Sequence, residues 1–91
     1  MKLEIVFSNR FKRDLKQLIK RRLNIDLLDE VVEKLANQQP LEKKHKDHAL
    51  TRNYIGFREC HIQPDWLLIY RIDDDGLYLF LSRTGSHSDL F

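Results

Sequence analysis

The spacing of the hydrophobic residues changes near the middle of the chain, and this change restricts the folds that the chain can adopt. In residues 9–36 the apolar positions recur about every 3.6 residues, which predicts two amphipathic helices. Ser8 or Asn9 can cap the first helix and Asp26 the second, which must end before Pro40. The inward-facing stripes are Phe11, Leu15, Leu18 and Ile19 in the first helix and Leu28, Val31, Val32 and Leu35 in the second.

Beyond residue 54 the apolar period falls to that of a β-strand with one buried face. Three strands are predicted, in "IGFRECHI", "WLLIYRI" and "LYLFLSR", and they are joined by the turns "QPD" and "DDDG". Gly76 in the second turn can adopt a positive φ without steric cost. The alternation in "MKLEIVF" predicts a further strand before the helices.

These elements predict an α+β domain in which an N-terminal strand and a two-helix hairpin precede a three-stranded antiparallel meander. Residues 40–54 are expected to form an irregular, basic connection. The segment "TGSHSDLF" is expected to be a short C-terminal tail with room for one helical turn. A chain of 91 residues has space for a single domain, residues 1–91.

The composition excludes several classes of protein. Hydrophobic residues make up 42% of the chain and charged residues 33%, which is typical of a folded domain. No apolar run approaches the roughly 18 residues of a transmembrane helix, and the N-terminal segment is too charged for a signal peptide. The single cysteine, Cys60, cannot form an internal disulfide and is expected to be a small packed side chain. We therefore expect a cytoplasmic protein with no membrane partner.

The net charge of +2 conceals alternating basic and acidic blocks. Residues 1–22 hold eight Lys or Arg against two acids, and residues 43–61 hold five against two. Acids prevail by five to one in residues 23–42 and by five to two in residues 62–91. A basic block is either an ordinary solvated face or a surface for an anionic partner, and charge alone does not choose between them.

The histidines all lie in the second half of the chain. His45, His48 and His61 fall within "KHKDHALTRNYIGFRECHIQPDW", and His87 lies in "SRTGSHSDLF". Taken singly, each is best interpreted as a surface residue, above all His45 in its lysine-rich loop. The set of His48, His61 and His87 is harder to explain in this way, because basic residues surround all three.

A metal site is one interpretation of these residues. The possible ligands are His45, His48, His61, Asp65 and His87. Zinc sites usually have closer paired spacings, however, and there is no second cysteine. The surrounding lysines would also repel a cation. We therefore predict no metal and no cofactor.

Acid–base cleavage of RNA accounts for the same residues better. The 2′-OH of RNA is an internal nucleophile, so cleavage needs a base for its proton, cations for the phosphate and an acid for the leaving 5′ oxygen. Histidine, whose ordinary pKa is about 6.5, can act as either the base or the acid at neutral pH. Arginine offers a planar fork for phosphate oxygens. Phe91, Trp66 and Tyr54 are the candidates for stacking on a base, although Trp66 and Tyr54 are more typical of packing.

Three motifs, "KDHAL", "RECHIQPDWLLIY" and "RTGSHSDLF", carry a family likeness. With the order of elements over nearly the whole chain, they resemble the YafQ family of bacterial type II toxins, within the wider RelE-like superfamily. The resemblance implies an mRNA endoribonuclease that enters the ribosomal A site and cuts the message during translation. It also implies that no metal or cofactor is used and that a cognate antitoxin neutralises the protein.

The resemblance further implies a catalytic cluster of His48, His61, Asp65 and His87, with Phe91 as an aromatic RNA contact. His87 is the implied general acid, His48 and Asp65 compete for the role of general base, and His61 orients a neighbour or the phosphate. The implied phosphate-binding residues are Arg83 and, more weakly, Lys44, Lys46 and Arg58. The basic first helix would dock 16S ribosomal RNA through Lys12, Arg13, Lys16, Lys20, Arg21 and Arg22.

Two other functions are compatible with the fold and the charge. A ParE-like toxin belongs to the same fold family but binds a topoisomerase and cuts nothing, so it has no chemical reason to gather histidines. A non-catalytic RNA-binding module would use the basic faces alone and would bind with a strong salt dependence. RNA cleavage distinguishes the first function from both alternatives.

Overall fold

The computed structural model, which describes residues 2–73 and 75–91, contains the helices and strands that the hydrophobic spacing predicts. Met1 of the predicted first strand and Asp74 of the predicted "DDDG" turn lie outside the described residues. The strands are β1 (Glu4–Phe7), β2 (His48–Ala49), β3 (Arg58–Gln63), β4 (Trp66–Ile72) and β5 (Tyr78–Gly85). The helices are α1 (Asn9–Lys20), α2 (Ile25–Ala36) and α3 (His87–Leu90), with 3-10 turns at Lys43–His45 and Arg52–Tyr54.

The five strands of the described residues form one sheet in the order β1-β5-β4-β3-β2. β1 runs parallel to β5, and the other neighbouring strands are antiparallel. The predicted α+β architecture, with a meander over β3, β4 and β5, is therefore confirmed. β2 is an addition to it, because His48 and Ala49 pair with β3 inside the segment that is expected to be irregular.

One face of the sheet packs against α1 and α2 and forms the main core. Ile19 is predicted to face this core but is 55% exposed. It lies about 80° around the helix axis from Phe11, whereas Leu18 lies only about 20° away. Burial raises the pKa of the Cys60 thiol to about 12, which is the behaviour of a packed side chain rather than a nucleophile. The core includes Phe11, Leu18, Leu28, Val31, Val32 and Leu35 from the helices and Cys60, Leu68, Tyr70, Leu79 and Leu81 from the sheet.

Side-chain caps fix the starts of the two long helices. Ser8 caps α1, because its hydroxyl accepts a hydrogen bond from the N–H of Phe11 at 2.9 Å. The prediction that Asp26 caps α2 is wrong. The Asn24 side chain accepts from the N–H of Asp26 at 3.1 Å, and the helix begins at Ile25. No helix in the described ranges is both long enough and apolar enough to cross a membrane.

A β-bulge in β5 directs Arg83 to the face of the sheet that α1 and α2 leave open. The pairing of β5 with β4 skips Ser82, so Arg83 lies opposite Ile69. Ser8 stabilises the bulge by donating its hydroxyl hydrogen to the carbonyl of Ser82 at 2.7 Å. Strict alternation predicts Arg83 on the same face as Leu81, and the bulge makes that prediction wrong.

The open face of the sheet carries a second, smaller apolar cluster. Leu67, Ile69 and Leu90 are buried there, and partly buried side chains pack around them. Because Leu90 belongs to α3, this cluster holds the C-terminal helix against the sheet.

Candidate active site on the open face of the sheet

Asp65, in the turn between β3 and β4, is hydrogen-bonded twice to His87. Nδ1 of His87 lies 2.6 Å from Oδ1 of Asp65, and the backbone N–H of His87 donates to the same oxygen at 3.0 Å. An ionised carboxylate only accepts hydrogen bonds, so Nδ1 carries the hydrogen and Nε2 is left to face a ligand. These bonds from His87 hold the pKa of Asp65 below its ordinary value.

Glu59 lies between two histidines on neighbouring strands. His48 in β2 is directly opposite Glu59 in β3, and His61 follows on the same face of β3. Oε1 of Glu59 is 3.7 Å from Nε2 of each ring. The Glu59 side chain is only 8% exposed, so water solvates its charge poorly, and a proton gained at Nε2 of either ring would lie beside that charge.

The second nitrogen of each of these rings faces a backbone carbonyl. Nδ1 of His48 lies 2.7 Å from the carbonyl oxygen of Lys46, and Nδ1 of His61 lies 3.2 Å from that of Pro64. Because a carbonyl oxygen accepts, Nδ1 carries a hydrogen in both rings. Nε2 is therefore the nitrogen at which each ring can gain a proton beside Glu59.

His61 connects the Glu59–His48 contact with the His87–Asp65 hydrogen bonds. The ring centroids of His61 and His87 are 5.8 Å apart, with 62° between the ring planes. A continuous row of contacts therefore joins His48, Glu59, His61, His87 and Asp65, which we call the polar cluster. The row contains all four residues of the predicted catalytic set.

α3 carries His87, and hydrogen bonds stabilise its first turn and also join it to Arg21 at the end of α1. Ser86 and Asp89 form a capping box, in which Oδ2 of Asp89 accepts from the N–H of Ser86 at 2.9 Å and Oγ of Ser86 accepts from the N–H of Asp89 at 3.2 Å. The guanidinium of Arg21 donates to both carboxylate oxygens of Asp89, at 2.7 and 3.1 Å, and holds the pKa of that carboxyl well below its usual range. The Asp89 side chain packs closely against the backbone of Gly85. Glycine allows this contact, because a Cβ at that position would lie 2.9 Å from Oδ2 of Asp89.

Phe91 is the exposed aromatic ring of the C-terminal segment, with 64% of its surface accessible. Its ring centroid lies 5.9 Å from that of Tyr54 at an interplanar angle of 73°. Tyr54 in turn packs edge to face on Phe57. Trp66, by contrast, is buried in the main core, where its Nε1 donates to the hydroxyl of Thr84 at 2.9 Å. Phe91 is therefore the candidate whose ring a base can reach.

The two arginines predicted to bind phosphate are both held by acids. Nε and Nη2 of Arg83 donate to Asp14 at 2.8 and 3.0 Å, so Nη1 is the nitrogen that Asp14 does not use. Arg58 lies on the opposite face of β3 from Glu59, and its Nε donates to Asp47 at 3.3 Å. Arg83 is thus brought to the open face, whereas Arg58 is separated from the polar cluster.

Lys44 and Lys46 lie just before β2, where they line a groove together with His61. His45, between the two lysines, is predicted to be a surface residue but is 9% exposed. Its Nδ1 donates to the backbone carbonyl of His61 at 2.7 Å. The prediction is wrong because the 3-10 turn at Lys43–His45 folds this one side chain inward against β3.

The basic residues of the first helix are mostly free for a partner. Arg21 is the exception, since it pairs with Asp89. The other exposed basic residues of the predicted set are Lys12, Arg13, Lys16 and Lys20 in α1 and Arg22 just after it, and Arg10 of α1 is exposed as well. Within residues 2–73 and 75–91, no three His, Cys, Asp or Glu side chains are arranged to hold a metal ion.

Glu59 and Asp14 are site residues that the sequence interpretation does not single out. Strand alternation puts Glu59 on the same face as His61, and this signal is enough to include it beside the histidines. Asp14 gives no such signal, because its pairing with Arg83 depends on the bulge in β5.

Comparison with known proteins places the chain in a family. The sequence model of the family described as "Bacterial toxin of type II toxin-antitoxin system, YafQ" matches residues 3–91. The chain is 37% identical over 89 residues to the mRNA interferase toxin YafQ of Escherichia coli strain B / BL21-DE3. The aligned region covers 97% of this chain and 95% of that protein. A metal-bound toxin from Helicobacter pylori is 49% identical, with a TM-score of 0.92 over 98% of this chain and 99% of the other. A chain of the E. coli DinJ-YafQ toxin-antitoxin complex is 35% identical, with a TM-score of 0.89 over 100% of this chain and 99% of the other. This chain belongs to the YafQ family of bacterial toxins of type II toxin-antitoxin systems.

Proposed function

We propose that this chain is an endoribonuclease toxin that enters the ribosomal A site and cuts the message during translation. The observation that carries the proposal is the polar cluster, in which His48, Glu59, His61, His87 and Asp65 form one row of contacts. The name of the E. coli relative, mRNA interferase toxin YafQ, supports the same activity. Because the substrate is translated message, the site of action is the cytoplasm.

Of the two candidates for the general base, we assign His48 rather than Asp65. Oδ1 of Asp65 already accepts two hydrogen bonds from His87. Nε2 of His48 carries a lone pair, because Nδ1 holds the ring hydrogen. A proton taken from the 2′-OH at Nε2 creates an imidazolium 3.7 Å from the Glu59 carboxylate, which stabilises it.

In the proposed reaction the 2′ oxygen forms a bond to phosphorus and the bond between phosphorus and the 5′ oxygen breaks. The imidazolium form of His87 donates the Nε2 proton to the leaving 5′ oxygen, while Asp65 holds Nδ1. The products are a 2′,3′-cyclic phosphate and a free 5′-OH. A Helicobacter pylori relative is described as metal-bound, but no step here calls on a metal or cofactor, since the 2′-OH is an internal nucleophile.

The remaining cluster and groove residues have supporting roles in the proposal. His61 contacts the scissile phosphate, with additional positive charge from Nη1 of Arg83, and the two groove lysines contact a neighbouring phosphate of the RNA backbone. Phe91 stacks on a base, an interaction worth on the order of 1–3 kcal/mol. Arg58 lies on the far face and is assigned no contact. The contact residues proposed are His61, Arg83, Lys44, Lys46 and Phe91.

Two macromolecular partners accompany this function. The exposed basic residues of α1 dock 16S ribosomal RNA, so ribosome binding should weaken steeply as salt is raised. A cognate antitoxin neutralises the toxin, and the E. coli DinJ-YafQ complex supports such a partner. We propose that an acidic and apolar segment of the antitoxin wraps the sheet and the basic face, and covers the polar cluster or displaces α3. A complex in which α3 and the cluster remain in place and uncovered would contradict this mode of inhibition.

The test of the proposed function is a reconstituted translation reaction in which the 5′ ends of the message are mapped. His87→Ala should lose about 100-fold or more of the cleavage rate while keeping its circular dichroism spectrum. Ser88→Ala, a neighbouring exposed position of α3, is the matched control and should cut normally. Cleavage that persists in His87→Ala refutes the role of His87. Gyrase inhibition without cleavage would indicate a ParE-like toxin, and RNA binding without cleavage would indicate a binding module.

A further inference from the structure

A groove of about 440 Å³ opens beside His61 and extends from Pro64 to Lys44 and Lys46. Such a volume falls within the range of about 300–1,000 Å³ that is usual for small-molecule sites. The groove shares His61 with the polar cluster, and it is joined to His48 through Lys46, whose carbonyl accepts the hydrogen bond that orients the His48 ring. Its wall residues include Leu27, Lys44, His45, Lys46, His61 and Pro64.

The groove combines positive charge at its rim with an apolar wall. The Lys44 side chain is 70% exposed, and its ammonium lies 3.6 Å from Glu42, a distance too long for a firm ion pair. In the described part of the chain, no acidic side chain lies within ion-pair distance of the Lys46 ammonium. Leu27 from α2 and Pro64 from the β3–β4 turn supply the apolar surface. Lysines beside an apolar wall suit a phosphate attached to a ribose and a base.

His45 adds a fixed polar group to this groove. Its Nδ1–H is bound to the carbonyl of His61 at 2.7 Å, so in the neutral ring Nε2 is left with a lone pair. His45 is 9% exposed, and its packing holds the ring in one orientation. An acceptor of this kind can receive a hydrogen bond from a ribose hydroxyl or a base amino group.

We infer that this groove binds the nucleotide on the 5′ side of the cut. That nucleotide bears the attacking 2′-OH, which the proposed mechanism delivers to His48, and Lys46 of the groove is hydrogen-bonded to His48. Lys44 and Lys46 hold the phosphate on the 5′ side of that nucleotide, and the ribose and base lie against Leu27 and Pro64. The inference rests on the proposed function for the direction of the RNA, whereas binding itself is measured without cleavage.

The experiment compares adenosine 3′-monophosphate with adenosine 3′,5′-bisphosphate, using NMR titration of the full chain. The 3′-phosphate of each nucleotide occupies the polar cluster, and only the bisphosphate can reach the two lysines. The wild type should bind the bisphosphate about 10-fold more tightly, and both ligands should shift the Leu27 methyl signals. Inorganic phosphate should shift the His61 and His87 signals but not those of Leu27.

The double variant with Lys44→Gln and Lys46→Gln should lose the preference for the bisphosphate. Lys43→Gln is the matched control, because Lys43 belongs to the same 3-10 turn and does not line the groove; it should keep the preference. The inference is overturned if all three proteins prefer the bisphosphate equally, if the Leu27 methyl signals do not move, or if neither nucleotide binds. Cleavage on ribosomes is scored separately. A wild-type protein that cuts message but fails this test leaves the proposed function intact, and one that binds nucleotide but never cuts refutes the function alone.

Discussion

One oxygen of Asp65 accepts both the backbone N–H and the Nδ1–H of His87, at 3.0 and 2.6 Å. A single carboxylate therefore fixes the start of α3 and also the orientation of the ring that α3 carries. In the proposed reaction the same carboxylate faces the positive charge of the general acid.

Asp65→Asn should keep the fold, because the amide oxygen can still accept from His87, but it removes the negative charge. We expect the cleavage rate at neutral pH to fall about 100-fold, and the falling alkaline limb of the pH–rate profile to move to lower pH. The measurement is single-turnover cleavage between about pH 5 and pH 9. Asp26→Asn, an exposed acid of α2, serves as control. An unchanged profile in Asp65→Asn would show that the carboxylate has only a structural role.

Glu59→Gln removes the charge that faces Nε2 of His48 and of His61 while preserving the size of the side chain. The carboxylate stabilises the imidazolium that forms when His48 takes the 2′ proton, so the plateau of the cleavage profile should fall about 10-fold without it. The free energy of unfolding should not fall, because a poorly solvated charge has been removed. Glu4→Gln, exposed on β1, is the matched control. A destabilised Glu59→Gln variant with a normal profile would contradict the catalytic interpretation.

Asp89→Asn tests how firmly α3 is held. Because Arg21 depresses the native pKa of Asp89, the ion pair contributes stability above the ordinary carboxyl pKa of about 4. This contribution is lost as the pH falls through the lower native value. At pH 7 the variant should be less stable than the wild type by no more than about 1 kcal/mol, because the pair is partly exposed.

The measurement for Asp89 is urea unfolding at neutral pH and at several acidic values. The difference from wild type should be constant from pH 7 down to about pH 5 and should shrink below about pH 4. Arg21→Gln should show the same dependence, because it breaks the same pair. A difference that grows on acidification would show that the stabilisation comes from another group.

Thr84→Val should cost the fold about 1–3 kcal/mol. The buried Thr84 hydroxyl accepts from Nε1 of Trp66 at 2.9 Å and donates to the carbonyl of Leu67 at 2.8 Å. Valine fills nearly the same volume, takes away the hydroxyl that the Leu67 carbonyl accepts from, and leaves the buried Trp66 N–H without this partner. Thr51→Val is the control, since Thr51 is exposed and its side chain makes no capping hydrogen bond. Equal free energies of unfolding for the two variants would rule out this role for Thr84.

The hydrophobic periodicity was sufficient to predict the α+β class, the two long helices and the meander. These features depend on local spacing, which a strand or a helix imposes on its own residues. β2 escaped prediction because two residues are too few to show a period. The predicted burial of Ile19 is wrong because it lies at the edge of the apolar stripe of α1. Spacing alone includes such a position, but its burial depends on how the helix packs against the sheet.

The residues of the candidate site that lie in the three motifs can be predicted from the sequence. The family resemblance in three motifs predicts His48, His61, Asp65 and His87 as one set, although they are spread over 40 positions of the sequence. The pairing of Arg83 with Asp14 was not predictable, since it requires a one-residue shift in strand register that alternation cannot show. The burial of His45 likewise depends on a backbone turn rather than on any local pattern.

The parallel pairing of β1 with β5 joins Glu4 to Tyr78 and so links the first strand to the last. Pairings of such long sequence separation form late, because the intervening chain must first be ordered. During synthesis β1 cannot pair until β5 has been made. Until then the segments that carry His48 and His87 also remain apart. In the proposed function, the site that cuts the message is therefore complete only after the C-terminal residues have been synthesised.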